Sequence, residues 1–293
     1  MNSILDYVVL MYLGCKMKQI NKMLMVFCGV FGMQYANAHY PYIAPLSYQT
    51  FNNHTAILSG FYDNPFVSEI AIKNFKFHYH IPTGEKIYID DEKWVKTQTL
   101  ASYSLENKID GTYRIRGEKQ GNTVRFAQDG TQWKSLISGS PKPGQKLNDN
   151  IIYASQLKKN STVKSVQTIE FIETFMSRRE LSNHVVQHLH DGFDVQFITH
   201  PNAIKVNQPI QFKLLDNKNI IAQQKAEILV QTTDFSRNEK VYKTIQSNEK
   251  GELNFVIQNK GQYLLVLDYQ QPLNSSSNQL KRYKYTLAFN VTD

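Results

Sequence analysis

The sequence predicts an all-β protein: two β-sandwich, immunoglobulin-like domains behind a cleaved export signal. Three observations point there. A short apolar run near the N-terminus is preceded by lysines and followed by small residues. Apolar and polar residues alternate with period two through the rest of the chain. No long stretch of that remainder carries a helical period.

The export signal comes first. The apolar run 23–33 follows Lys16, Lys18 and Lys22 and is too short for a membrane span, which takes about 18 or more apolar residues. Ala36-Asn37-Ala38 puts small side chains at the first and third positions before a cut, which would leave His39 as the leading residue. Met17 makes an alternative start to Met1, with the same mature product. Cys15 and Cys28 both lie in the removed segment, so the mature chain would have neither disulfides nor thiolate ligands. Phe27 before Cys28 is too bulky for lipoprotein processing. The cut also removes three lysines and Asp6, lowering the formal net charge of +8 to +6. That charge is spread along the chain and forms no nucleic-acid footprint. The expected location is the periplasm, with no integral membrane segment after cleavage.

The first sandwich is expected over residues 39–182, a linker over 183–192 and the second sandwich over 193–293. Strands of the first are predicted at His54–Tyr62, 69–81, 112–117, 151–157 and 165–177. In Phe75-Lys76-Phe77-His78-Tyr79-His80-Ile81 the aromatic residues share one face, and Lys76, His78 and His80 share an opposite face expected to be wet. In the second sandwich the alternation runs through Ile210, Phe212 and Leu214, through Leu253, Phe255 and Ile257, then through Tyr263, Leu265, Leu267 and Tyr269. It ends in Tyr283, Tyr285, Leu287, Phe289 and Val291. Turn signals stand between these runs at Asp216-Asn217-Lys218-Asn219, Asn248-Glu249-Lys250-Gly251 and Asn259-Lys260-Gly261. The Cys-Trp-Cys core of antibody domains is absent, so the architecture alone is indicated.

Histidines are the sharpest chemical feature. The α-amine of a leading His39 and its imidazole Nδ1 would close a chelate ring on one ion, two nitrogen ligands from one residue, which suits Cu(II) or Ni(II). His78 and His80, two apart on a strand, share a face and could grip one ion together; His54 is another candidate partner for His39. His184, His188 and His190 read as a flexible, metal-attracting tract in the linker, and His200 as a hydrogen-bonding turn residue. Enzyme signatures are missing: no thiol nucleophile, no His-Glu-x-x-His helix, no phosphate-cradling glycine loop and no Gly-x-Ser-x-Gly elbow. Asp90, Asp91 and Glu92 are adjacent and do not make a catalytic pair.

Several segments in order resemble a family of bacterial periplasmic proteins, domain-of-unknown-function family 4198. These are Ala38-His39 with Pro45; Phe171-Ile172-Glu173-Thr174-Phe175; Val195-Gln196-Phe197-Ile198-Thr199-His200-Pro201-Asn202 with Val206-Asn207-Gln208-Pro209; Asn248-Glu249-Lys250-Gly251-Glu252-Leu253-Asn254-Phe255 leading to Gly261-Gln262-Tyr263; and Tyr285-Thr286-Leu287-Ala288-Phe289. The resemblance implies an exported two-part β protein associated with nickel or cobalt uptake, and it carries His39 over as a metal-binding residue. Phe77-His78-Tyr79-His80 departs from the apolar strand usual there.

The expected function is therefore capture of nickel, cobalt or copper through His39 with further histidines, for delivery to a membrane metal transporter and without turnover. An immunoglobulin-like module that binds protein or glycan without metal is the alternative. A copper oxidase using the His39 amine is a third reading.

Overall fold

The computed structural model describes residues 40–142, 144, 148–233, 240–273 and 278–293. The segment expected to be an export signal and His39 lie outside the described residues. Along the chain come β1 (Tyr40–Pro45), β2 (Gln49–Thr50), β3 (His54–Tyr62), β4 (Ser68–Ala71), β5 (Lys76–His80), β6 (Lys86–Ile89), β7 (Val95–Lys96), β8 (Ala101–Glu106) and the long β9 (Gly111–Asp129). β10 (Gln132–Ile137), β11 (Ile151–Tyr153) and β12 (Val163–Arg178) follow, then the one-turn helix α1 (His184–Gln187). The rest are β13 (Phe193–Phe197), β14 (Ile210–Asp216), β15 (Asn219–Ile220), β16 (Lys225–Val230), β17 (Val241–Gln246), β18 (Glu252–Phe255), β19 (Gly261–Pro272) and β20 (Gln279–Val291). The described residues are all-β apart from single turns of helix.

Two compact units divide it. In residues 124–164 the end of β9 turns back on β10, with Trp133 opposite Gln128 and Lys134 opposite Ala127, and β10 runs parallel to β11. The Lys164 ammonium sits 4.6 Å above the Trp133 ring, a cation–π contact.

The other unit, residues 38–123 and 165–293, holds three sheets. One contains β1, β3, β4, β7 and β8; a long central sheet runs β9-β12-β20-β19-β16-β17, with β5 and β6 added beside β9; the third contains β13, β14, β15 and β18. Strand alternation explains how one sheet serves two cores. Along β12, Phe171 and Phe175 enter a core with Phe193, Phe212, Leu253 and Phe289, while Ile172 and Met176 enter another with Ile43, Ile57, Phe77 and Trp94. Side chains on opposite faces of β12 therefore hold both sandwiches together, and β12 pairs in parallel register with β20 over ten residues, from Ser165↔Gln279 to Thr174↔Ala288.

The strand expected at 165–177 within the first sandwich lies in the central sheet between β9 and β20. Residues 165–178 belong to the sheet of the second sandwich. The segment 183–192, expected as a polar linker, is pinned by Val185 and Val186, both buried in the core between the central and third sheets. The turn signals hold. Asp216 pairs with Asn219 across a two-residue turn in which Asn217 and Lys218 both have positive φ, 47° and 68°, the primed geometry that matches strand twist.

A candidate metal centre of four imidazoles

β5 lies between β6 and β9, and its register places His78 opposite Arg116 and His80 opposite Arg114. Phe77 and Tyr79 fill the core of the first sandwich, as their face of the strand predicts. The other face, expected to be wet, is covered: His78 and His80 are 5% and 4% exposed. The cover is the stretch from α1 to the start of β13. Val185 and Val186 anchor it on one side. On the other, Gly192 at φ +78° and the Asn217 side chain, which accepts from the Gly192 N–H at 3.2 Å, turn the chain so that Phe193 enters the core.

Folding the segment over β5 brings four rings together. Ring centroids of His78 and His80 are 5.4 Å apart; His190 lies 5.8 and 5.6 Å from them, and His188 lies 4.9 Å from His80 and 5.1 Å from His190. One ligand atom from each of His78, His80 and His190 falls within 4.8 Å of the others. Each of these three residues also leaves a buried ring nitrogen with no hydrogen-bond partner: Nε2 of His78, Nδ1 of His80 and Nε2 of His190. Buried polar atoms are nearly always satisfied, so three in one cluster call for an explanation.

Below the rings is a buried ion network. The Arg114 guanidinium donates to Glu173 at 2.6 Å through Nε and to Asp194 at 2.9 Å through Nη2, and Arg116 Nη1 donates to Asp194 at 3.0 Å. The Tyr285 hydroxyl donates to Glu173 at 2.6 Å. Burial alone would raise the two carboxyls; Arg114 and Arg116 overcome it and hold both below their ordinary range. The Asp194 carboxylate also accepts from the His190 backbone N–H at 2.7 Å and lies 3.1 Å from His190 Nδ1. With Nδ1 as the donor there, Nε2 of His190 carries the free lone pair, the arrangement of a carboxylate–histidine–metal triad.

Electrostatics keep the rings neutral. Burial first, then the positive charge of Lys86 and the neighbouring histidines, push His78 down to about 2; burial, then His190 and His188, push His80 down to about 4. His188 and His190 are lowered too, in both cases chiefly by burial. Neutral imidazole is the ligand form. The sign of the stability effect follows. Below the ordinary value of 6.5 the unfolded chain takes up protons that folded His78 and His80 refuse, so stability is full above 6.5 and drains as the pH falls towards 4. The metal-free protein should show urea midpoints that drop between pH 7 and pH 4.5, with a shallower drop in a His78→Asn/His80→Asn double variant. A midpoint unchanged across that range would contradict the burial of neutral rings.

The other sequence candidates fall elsewhere. His54 opens β3, pairs with Glu106 in register and has a 61% exposed side chain 3.9 Å from that carboxylate; it takes no part in the cluster. His200 is the turn residue expected: its ring lies 3.1 Å from Thr112 Oγ1 and 3.2 Å from the Ser182 carbonyl and accepts from the Asn202 N–H. The reading of 184–190 as a flexible tract missed His190, which is held by Asp194 and by the buried ends of its segment. The Asp191-Gly192 turn ahead of an apolar strand was the available signal.

The family described as domain of unknown function DUF4198 matches residues 36–271. The chain belongs to that family. The match takes in β5, β9, β12 and the His188–Asp194 segment, so every residue of the cluster except Tyr285 lies inside the DUF4198 region. No curated protein matches the chain. Among solved structures, a DUF4785 family protein from Legionella pneumophila aligns at 11% identity and a TM-score of 0.22, covering 86% of this chain; this chain spans 56% of that one. A marsupial T cell receptor aligns at 10% identity and 0.22, with 87% and 73% covered, and an Escherichia coli alpha-2-macroglobulin at 8% and 0.21, with 85% and 20% covered. At such scores these likenesses carry no argument.

Proposed function

We propose that this DUF4198 protein is a periplasmic metal-binding protein that captures a nitrogen-preferring divalent ion, nickel, cobalt or copper, for uptake through a membrane transporter. His78, His80 and His190 are its ligands. The observation that carries the reading is the set of three buried, partnerless ring nitrogens on residues whose ligand atoms approach within 4.8 Å. Small ring rotations bring such atoms to the roughly 3.3 Å spacing of tetrahedral ligands about 2.0–2.1 Å from one ion. Three neutral imidazoles select ions that accept nitrogen, and affinity should follow the divalent series, cobalt below nickel below copper. Neutrality also favours release: no anionic ligand retains the ion, as suits a carrier that hands its cargo on.

His39 enters as a second, separable site. Its amine and imidazole would chelate on their own, with no need of the buried rings. The test is calorimetric titration of the mature protein at pH 7 with nickel, cobalt, copper and competing zinc. Three preparations are compared: the native chain, a His78→Asn/His80→Asn variant, and a chain with one extra residue ahead of His39. The expected result is uptake at two sites in the native chain, of which the double variant loses the buried one and the extended chain loses the His39 one. Equal uptake by all three would remove the buried site from the account, and absence of uptake by the native chain would favour a metal-free binding module.

A further inference from the structure

His188 differs from the other three rings. It stands as close to His80 and His190 as these stand to His78, yet it is exposed where His78 and His80 are buried. Its backbone is fixed: it caps the C-terminus of α1, whose Val185 and Val186 are buried, and the Arg114 guanidinium donates to its carbonyl. The side chain lies between solvent and the cluster. Four residues earlier, His184 is exposed and lies against the β5–β6 turn, where a Cβ on Gly84 (φ +96°) would come within 2.3 Å of its ring. His184 at the start of α1 and His188 just past its end are thus the exposed imidazoles of the segment that covers the buried rings.

An ion entering the triad must shed its water. Losing the whole shell at once into a buried site is costly, whereas replacing waters one at a time by pre-placed nitrogens is not. We propose that His188 is the exchange ligand of this site, taking an aquo ion at the mouth and passing it to His78, His80 and His190, and reversing the path on release, with His184 as the outer step. This rests on the metal-binding reading and adds the route by which the ion moves. The passage is a ligand substitution with no change of oxidation state: His188 and the first triad imidazoles to bond each displace one water, and the last triad nitrogen displaces His188, whose bond to the ion breaks as its ring turns back to solvent.

Cobalt(II) chloride is the probe, because its visible absorption reports the ligand set. Stopped-flow mixing with the mature protein gives the loading rate, and excess EDTA gives the release rate, for the native chain and for His188→Ala and His184→Ala. Both sites are exposed, and near-UV circular dichroism verifies the fold. His188→Ala is expected to reach the native final spectrum while loading and release both slow by about tenfold or more, the advantage a pre-positioned ligand confers; His184→Ala should slow loading less. Unchanged rates in His188→Ala would overturn the proposal. So would an altered final spectrum with faster release, which would make His188 a permanent fourth ligand. Native protein that binds no cobalt would instead remove the metal-binding reading itself, a result distinct from either.

Discussion

Replacing His190 by alanine should lower metal affinity by at least about two orders of magnitude and leave the protein folded. His190 is the one ligand of the proposed triad that comes from the covering segment, while His78 and His80 come from a single strand. Its loss leaves two imidazoles on one side of the ion and an opening where the third stood. The expected cost exceeds the 10–100-fold typical of removing only an outer-shell partner. Asp194→Asn removes the carboxylate 3.1 Å from His190 Nδ1 but also one charge of the buried ion network, so its affinity loss is read together with its urea melt. The fold should tolerate His190→Ala, since the segment is held independently by Val185, Val186 and Phe193 in the core. Calorimetry with nickel measures the affinity and a urea melt the stability. Wild-type affinity in the variant would remove His190 from the site.

Glu173→Gln should be the most destabilising polar substitution in the protein. Glu173 is fully buried and balances two buried guanidiniums together with Asp194, while Tyr285 donates to it at 2.6 Å. Two arginines and two carboxylates form a neutral set. Neutralising one carboxylate at nearly constant volume leaves a net buried positive charge, and breaking a buried ion pair from one side costs about 3–5 kcal/mol. The same uncompensated charge lies beneath the imidazoles and opposes a cation there, so nickel affinity should fall as well. A urea midpoint within error of the native protein's would show that the network is not the strut it is taken to be. An Arg114→Met/Glu173→Met variant, which removes a charge of each sign, should lose less stability than Glu173→Gln alone.

The strands were legible in the sequence because the alternation is clean. His54–Tyr62 is recovered with both ends, and Phe212, Leu214, Leu265, Leu287 and Phe289 all lie in the core they were assigned to. His78 and His80 were correctly placed on one face of their strand, but that face was taken as wet. Period two separates two faces without saying what covers each. Thr112-Tyr113-Arg114-Ile115-Arg116 reads the same way: its arginines look solvated until Glu173 and Asp194, some sixty and eighty positions on, are brought against them. Glu173 sat in plain view within Phe171-Ile172-Glu173-Thr174-Phe175, a carboxylate amid apolar neighbours. A charge in a buried run predicts a buried partner, without naming it. The shared sheet was hidden for a related reason. Parallel pairing of β12 with β20 joins residues more than a hundred apart, and only the long, two-sided apolar pattern of 166–176 hinted at a strand buried on both faces.

The most direct test of the metal site is the X-ray absorption spectrum of the mature protein loaded with one equivalent of nickel. The account expects a first shell dominated by imidazole nitrogen at roughly 2.0–2.1 Å, with outer-shell scattering from at least three rings that drops by one ring in His190→Ala. A shell of oxygens, or an imidazole signal that survives unchanged when His78, His80 and His190 are all replaced, would contradict it.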